Sequence, residues 1–306
     1  MLKNFSKKIN LYYLKHELIG KYTVTFFGFS LIFLTLCLVF FIASKGMATF
    51  FTSHRSPAEF LFSTQWNPER DASQGGPAIG ALIFIVGSIS ISVLALAISA
   101  PFGVSTAIFM TEISPRLGKK LLQPAIEIFV GIPSVVYGWV GLCVLVPFIK
   151  KSFGGLGFSL LAGALVLAVM IFPTITSIAA DSLRSLPGEF KEASYALGAT
   201  RWQTIRRVIL PAAAPGILTG IVLGLARAFG EALAVQMVIG NSIRLPKSIL
   251  DPTTNLTSII TMDMGNTVMG TAWNNALWSM ALLLLLITFA FIILIHKIGS
   301  KGSLSK

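Results

Sequence analysis

Long uncharged runs alternate with short charged segments along the chain, and the runs predict its elements. A hydrocarbon core about 30 Å thick takes about 20 mostly apolar residues in helical form. Residues 22–44 carry no charge, exceed the apolar stretch of a cleaved signal peptide, and predict a retained first span. Residues 77–111 are uncharged for 35 residues, too long for one helix, so Pro101-Phe102-Gly103 is expected to end a second span near residue 99. A third is expected over 127–149, opened by Glu127 and interrupted at Pro133 and Gly138. A fourth is expected over 156–180, a fifth over 212–240 with two charges inside it, and a sixth over 276–295. The expected fold is all-α and polytopic, with six transmembrane helices. It divides into an N-terminal part (1–75) holding the terminus, first span and an external loop, a transmembrane domain (76–296) with a cytoplasmic loop at 181–211, and a tail (297–306).

Composition narrows the class. Charged residues are 12% of the 306 and hydrophobic residues 54%, the mean hydropathy is +0.80, and a soluble domain carries about 25% charge. A soluble globular domain and a disordered chain are both excluded. The net charge of +12 does not point to nucleic acid, because the basic residues lie between apolar runs rather than on one soluble face; membrane lipid is the expected environment. Basic residues favour the cytoplasmic side. With the N-terminus inside, 16 lie in that set (Lys3, Lys7, Lys8, Lys15, Lys21, Arg116, Lys119, Lys120, Arg184, Lys191, Arg201, Arg206, Arg207, Lys297, Lys301, Lys306). Only 7 lie outside (Lys45, Arg55, Arg70, Lys150, Lys151, Arg244, Lys247). Both termini are therefore expected in the cytoplasm, although Lys150 and Lys151 run against the trend. Cys37 and Cys143 sit in uncharged stretches and read as apolar packing residues, not as a disulfide or a zinc site.

The loop at 181–211 carries its own helix punctuation. Ser185-Leu186-Pro187 introduces a short helix through Glu189, Glu192 and Tyr195, and Gly198 stands where a left-handed residue ends one. Thr200 and Gln203 have capping-box spacing, and Ile205, Val208 and Ile209 give one apolar face before Pro211, which is expected to stop the second helix. Trp202 suits a membrane interface. Periodicity alone leaves two readings open: an amphipathic linker on lipid headgroups, or a docking element.

In the fifth span Arg227 and Glu231, four apart, are expected to share a helix face near mid-membrane, beside a small-residue stripe of Gly216, Gly220, Gly224, Ala228 and Ala232. A buried charge in a bilayer needs a polar pathway or a partner. The pair is read either as lining for an anion, whose oxygens a guanidinium binds bidentately, or as a purely structural pair. Ser134, after Pro133, either compensates the backbone freed by the proline or meets the substrate. Glu127 is expected to complement a helix N-terminus, and Asp263 has no assignable role.

Glu192-Ala193-Ser194, then Gly198, then Val208-Ile209-Leu210-Pro211, over twenty residues, closely resembles the loop signature of binding-protein-dependent ABC permeases. Ser194 and Val208 depart conservatively from the Ala and Ile usual there. The resemblance implies the type I (MetI-like) importer fold and a coupling helix entering a cleft on a separate cytoplasmic ATPase, with Glu192, Ala193, Gly198, Leu210 and Pro211 at that coupling site. Gln65-Trp66-Asn67-Pro68, Gly131-Ile132-Pro133-Ser134-Val135-Val136-Tyr137-Gly138, and Gly224 through Glu231 running on to Ile239-Gly240-Asn241 look like the phosphate permeases of the PstC type. That likeness implies a bacterial cytoplasmic-membrane subunit that is not itself an enzyme and is paired with a PstA-like permease. It further implies two copies of a PstB-like ATPase that uses ATP and Mg, and an external PstS-like phosphate-binding protein. This chain is expected to bind no cofactor, since it lacks the phosphate-loop motif Gly-x-x-x-x-Gly-Lys-Ser/Thr. The open alternatives are a PstA-type sister, a permease for sulfate, molybdate or phosphonate, or a secondary transporter or channel. An intramembrane enzyme is disfavoured because His16, His54 and His296 are far apart and no hydrolase motif appears.

Overall fold

Backbone N–H and C=O groups out of reach of water must close on one another, so apolar runs in a membrane become helices. In the computed structural model the backbone is described for residues 2–51, 55–70, 73 and 75–303, and the side chains for 17–51, 55–70, 73 and 75–297. The side chains of Lys3, Lys7, Lys8, Lys15, His16, His54, Lys301 and Lys306 lie outside the described residues.

Among the described residues six helices are long and apolar enough to cross a membrane: Glu17–Phe51, Leu82–Ile113, Ser134–Phe153, Leu160–Arg184, Arg201–Gly230 and Ala272–Lys297. In chain order the elements are α1 (Leu2–Gly46), α2 (Ala48–Phe51), α3 (Pro57–Phe62), β1 (Trp66–Asn67), β2 (Ala78–Ile79) and α4 (Leu82–Ile108). They continue with α5 (Pro115–Leu117), α6 (Gln123–Gly131), α7 (Ser134–Val140), α8 (Val146–Phe153), α9 (Leu160–Arg184) and α10 (Glu189–Ala196). The last are α11 (Arg201–Thr204), α12 (Leu210–Gly230), α13 (Leu233–Ile239), α14 (Leu256–Asp263) and α15 (Ala272–Ser303). The all-α expectation needs one amendment, because Trp66 pairs with Ile79 and Asn67 with Ala78 in a two-stranded antiparallel hairpin between the first and second spans.

The fourth span, α9, is the central post. α4 and α12 pack along it, with Ile91, Ala95, Ile171, Ile175 and Ala228 in one buried cluster. The glycine stripe lets α12 approach this closely. A Cβ at Gly216 would lie 2.6 Å from the Ser182 Cβ, one at Gly224 2.7 Å from Ile175, and one at Gly220 3.1 Å from Ile178. The first span stands apart, burying none of its most apolar stretch. It meets α15 at its C-terminal end, where Phe41 lies edge-on to Trp278 at 5.4 Å and the Ser279 hydroxyl donates to the Gly46 carbonyl. Cys37 and Cys143 are free and exposed on their helices, not packing residues.

Several boundaries differ from expectation, among them the end of the fifth span, which stops at Gly230 and not near residue 240. Pro101 does not end the second span; α4 runs through it to Ile108 and a π turn carries it on to Ile113. Ser99, Gly103 and Ala107, on both sides of the proline, are buried, and leaving the helix would free more backbone groups than the one hydrogen bond proline removes. Nor does Pro211 stop its helix: a π turn over Ile205–Ile209 runs straight into α12, with Pro211 in its first turn. Its missing N–H falls where the wider turn already breaks the regular ladder. The third span does break at Pro133, but it begins after the break, at Ser134. Glu127 therefore lies within α6 instead of opening a span, and accepts a bond from Gln123 Nε2 at 3.1 Å.

Candidate functional site

The loop at 181–211 is built as its residues dictate. α10 ends before Gly198, which has φ +78, and donates its N–H to the Tyr195 carbonyl at 2.9 Å. A Cβ at Gly198 would meet nothing within 4 Å, so the glycine is there for its left-handed backbone and not for space. Thr200 and Gln203 form the full capping box. The Ser194 hydroxyl, buried, meets Thr204 Oγ1 at 2.9 Å and ties α10 to α11. Across the outside of this helix-turn-helix runs a groove of about 560 Å³ lined by Pro187, Phe190, Ala193, Leu197 and Val208 among others. Leu197 is 88% exposed and Trp202 59%. Glu192 is exposed, and among the described residues it makes no side-chain bond. A mostly apolar groove with one carboxylate residue, Glu189, in its lining is chemistry suited to an occupant, whereas an inert linker would bury its apolar side chains.

In the membrane the expected Arg227–Glu231 pair does not form. α12 ends at Gly230, and Glu231 has extended backbone (φ −77, ψ 124), so the four-residue spacing no longer places the two on one face. Arg227, half-buried, donates from Nη1 to Thr174 Oγ1 of α9 at 3.2 Å. One Glu231 carboxylate oxygen accepts the Ala234 N–H at 3.2 Å, turning the chain into α13, while its carbonyl accepts from Thr257 Oγ1 at 2.8 Å. The break is thus satisfied by the carboxylate of Glu231 itself and by Thr257 of α14. Irregular backbone at membrane depth is tolerated only where protein buries it or a polar cavity adjoins it. The remaining guanidinium N–H groups of Arg227 make no hydrogen bond among the described residues. Ser134 starts α7 just past the second break, which the Tyr137 hydroxyl bridges by donating to the Phe129 carbonyl at 2.7 Å. No bond joins Ser134 to Arg227 or Glu231.

At the end of α14, Asp263 acquires a setting. Burial pushes its carboxyl above the ordinary aspartate value, and Glu69 adds to this. Trp273 Nε1 is buried without a hydrogen bond of full geometry, yet its N–H lies near enough, with that of Trp66, to offset part of the penalty.

Residues that sequence reasoning passed over hold the loop in place. Lys191 Nζ lies 2.8 Å from Glu112 Oε1, and Arg201 Nη2 donates to the Glu112 and Ile113 carbonyls. Thr174, the partner of Arg227, carried no signal beyond being a hydroxyl in an apolar run. Glu112 was visible as a charge ending an uncharged run, without an address for its partner.

Comparison with known proteins gives these parts a context. Residues 99–301 match the family model described as binding-protein-dependent transport system inner membrane component. The chain is 54% identical over 286 residues to the probable ABC transporter permease protein YqgH of Bacillus subtilis, covering 93% of this chain and 91% of that one. It is 37% identical to the phosphate transport system permease protein PstC of Mesorhizobium japonicum, over 75% of this chain and 74% of the relative. To PstC of Pasteurella multocida it is 35% identical, over 89% and 88%. Among solved structures it resembles a chain of the methionine ABC transporter MetNI in an inward-facing conformation, with TM-score 0.55 and 19% identity, over 72% of this chain and 97% of that one. This last likeness is one of fold.

Proposed function

The chain belongs to the family of binding-protein-dependent transport system inner membrane components, and from that premise we propose that it is the PstC-like permease subunit of an ATP-driven importer of inorganic phosphate. As a member of that family it is a multi-pass membrane protein that works with an ATPase and a binding protein. The finer assignment is a heterodimer with a PstA-like permease, two PstB-like ATPase subunits that use ATP and Mg, and an external PstS-like phosphate-binding protein. Both termini then lie in the cytoplasm of a bacterial cell.

The observation that carries the reading is the loop at 181–211. Its Gly198 turn, capping box and open apolar groove together make a preformed dock, on the side where the basic residues concentrate. We assign Glu192 and Ala193 to the docking face, Gly198 to its turn, and Leu210 and Pro211 to the junction with α12. For the pathway we assign Arg227, Glu231 and Ser134. A half-buried guanidinium with free N–H groups attracts an oxyanion and offsets its desolvation, and a carboxylate one break away keeps that attraction weak enough for release. The PstC names of the relatives supply the choice of phosphate.

The test is uptake of labelled phosphate at low concentration in cells lacking this chain and in cells with it restored, against excess sulfate, molybdate or phosphonate. Uptake that requires the chain and yields only to unlabelled phosphate is expected. Restoration without phosphate uptake, or with another anion carried instead, refutes the substrate assignment.

A further inference from the structure

Among the described residues three ion pairs form, and two join neighbours on one turn: Arg55 with Glu59 and Arg184 with Asp181. The third, Lys191 to Glu112 at 2.8 Å, spans 79 residues of sequence. It ties α10, in the cytoplasmic loop, to the inner end of the second span. The Glu112 side chain is only 8% exposed and that of Lys191 33%, so this is not a solvated surface pair, whose worth would be small. Arg201, at the start of α11, adds donations to the carbonyls of Glu112 and Ile113. Those carbonyls belong to the π turn that ends the span, where acceptors left by the helix would otherwise go unpaired.

We propose that Glu112 is a positioning residue for transport: the strut through which the loop at 181–211 moves the inner end of the second span. This rests on the permease reading of that loop. The loop is already continuous with the fifth span through α11 and α12. The strut adds a second, non-covalent attachment, to a span that shares the buried cluster of Ile91, Ala95, Ile171 and Ala228 with the fourth and fifth. A force on α10 therefore acts on two spans at once, one through the backbone and one through Lys191, Glu112 and Arg201. Ser194 and Thr204, in contact at 2.9 Å, keep the two halves of the loop from moving independently. Glu112 touches neither the docking groove nor Arg227, so its effect on transport comes through position alone.

The experiment uses the complete transporter in proteoliposomes, with the chain as wild type, Glu112→Gln, Lys191→Met, or the charge exchange Glu112→Lys/Lys191→Glu. Phosphate uptake and ATP hydrolysis are both read per copy of the chain. Each single variant is expected to retain the ATPase subunits and their hydrolysis while the ratio of uptake to hydrolysis falls by about two- to thirtyfold, the range for a perturbed coupling contact. The exchange is expected to recover most of the ratio. The strut is overturned by single variants with an unchanged ratio, by an exchange that recovers nothing, or by loss of the ATPase subunits, which would make the pair a docking element. A wild type that hydrolyses ATP without moving phosphate refutes the substrate reading instead. The strut is then judged on the purified chain, whose thermal midpoint must fall no further in Glu112→Gln/Lys191→Met than in the worse single variant, and additive falls overturn it.

Discussion

Replacing Gly216 by alanine probes the seam between the fifth and fourth spans, where the structure allows the effect to be worked out in advance. The added Cβ would stand 2.1 Å from Ser182 Oγ and 2.6 Å from Ser182 Cβ. The hydroxyl can rotate away; the Cβ cannot. Carbon atoms pack at about 3.5–4.0 Å, so α12 must retreat from α9 by about 1 Å, and a gap of that size forfeits about a quarter to a half of each dispersion contact it opens. The contacts at Gly220 and Gly224 lie on the same seam and loosen with it. Overpacking of this kind costs about 1–3 kcal/mol, against about 1 kcal/mol gained by alanine in a helix. The net loss of up to about 2 kcal/mol corresponds to a fall of up to about 6 °C in the thermal midpoint of the detergent-purified chain. Gly220→Ala, whose nearest contact is 3.1 Å, is expected to lose less. Adding Ser182→Gly to Gly216→Ala removes the clash and is expected to restore most of the midpoint. A Gly216→Ala chain melting at or above wild type, or a double variant that recovers nothing, would refute the close-packed seam.

Other predictions concern function and pH. Gly198→Pro is expected to abolish phosphate uptake with the chain still in the membrane, since proline fixes φ near −65° against +78 and removes the N–H bonded to Tyr195; normal uptake at equal membrane abundance counts against the docking role. Arg227→Ala and Arg227→Lys are each expected to lower uptake. Because Arg227 bonds Thr174 and Glu231 bonds Ala234, Arg227→Ala/Glu231→Ala is expected not to recover it, and recovery would mean the two charges neutralise each other. Asp263 holds its proton more tightly in the fold than the ordinary value of 3.8, so the fold loses stability as pH rises from that value through the raised one. Asp263→Asn should therefore melt higher relative to wild type at about pH 7 than at about pH 4, and a difference independent of pH would remove the buried-carboxyl explanation.

How much of this the sequence disclosed follows from which forces act locally. Six spans were legible because hydropathy acts along the chain. Gly198 and the Thr200–Gln203 box were legible because turn and cap chemistry is decided within a few residues. Pro133 was read as a break and is one. Pro101 and Pro211 were read as stops and are not, because helix continuity there is decided by packing on α9 and by a π turn that proline spelling does not announce. The Arg227–Glu231 pair was inferred from helical spacing, and the helix ends one residue too early for it. Nothing in Gly230-Glu231-Ala232 marks that break; it depends on Thr257 of α14 reaching the Glu231 carbonyl. Glu112 and Lys191 lie 79 positions apart, and only the folded chain brings them together.

The continuous helical run from Arg201 to Gly230 makes the capping box and Arg227 two points on one lever. The 26 positions from Arg201 to Arg227 measure about 39 Å at about 1.5 Å per residue. A tilt of about 5° about the inner end sweeps the guanidinium through about 3 Å, roughly the length of one hydrogen bond. The Arg227–Thr174 contact, at 3.2 Å, is therefore made or lost by a rotation too small to disturb either end of the helix.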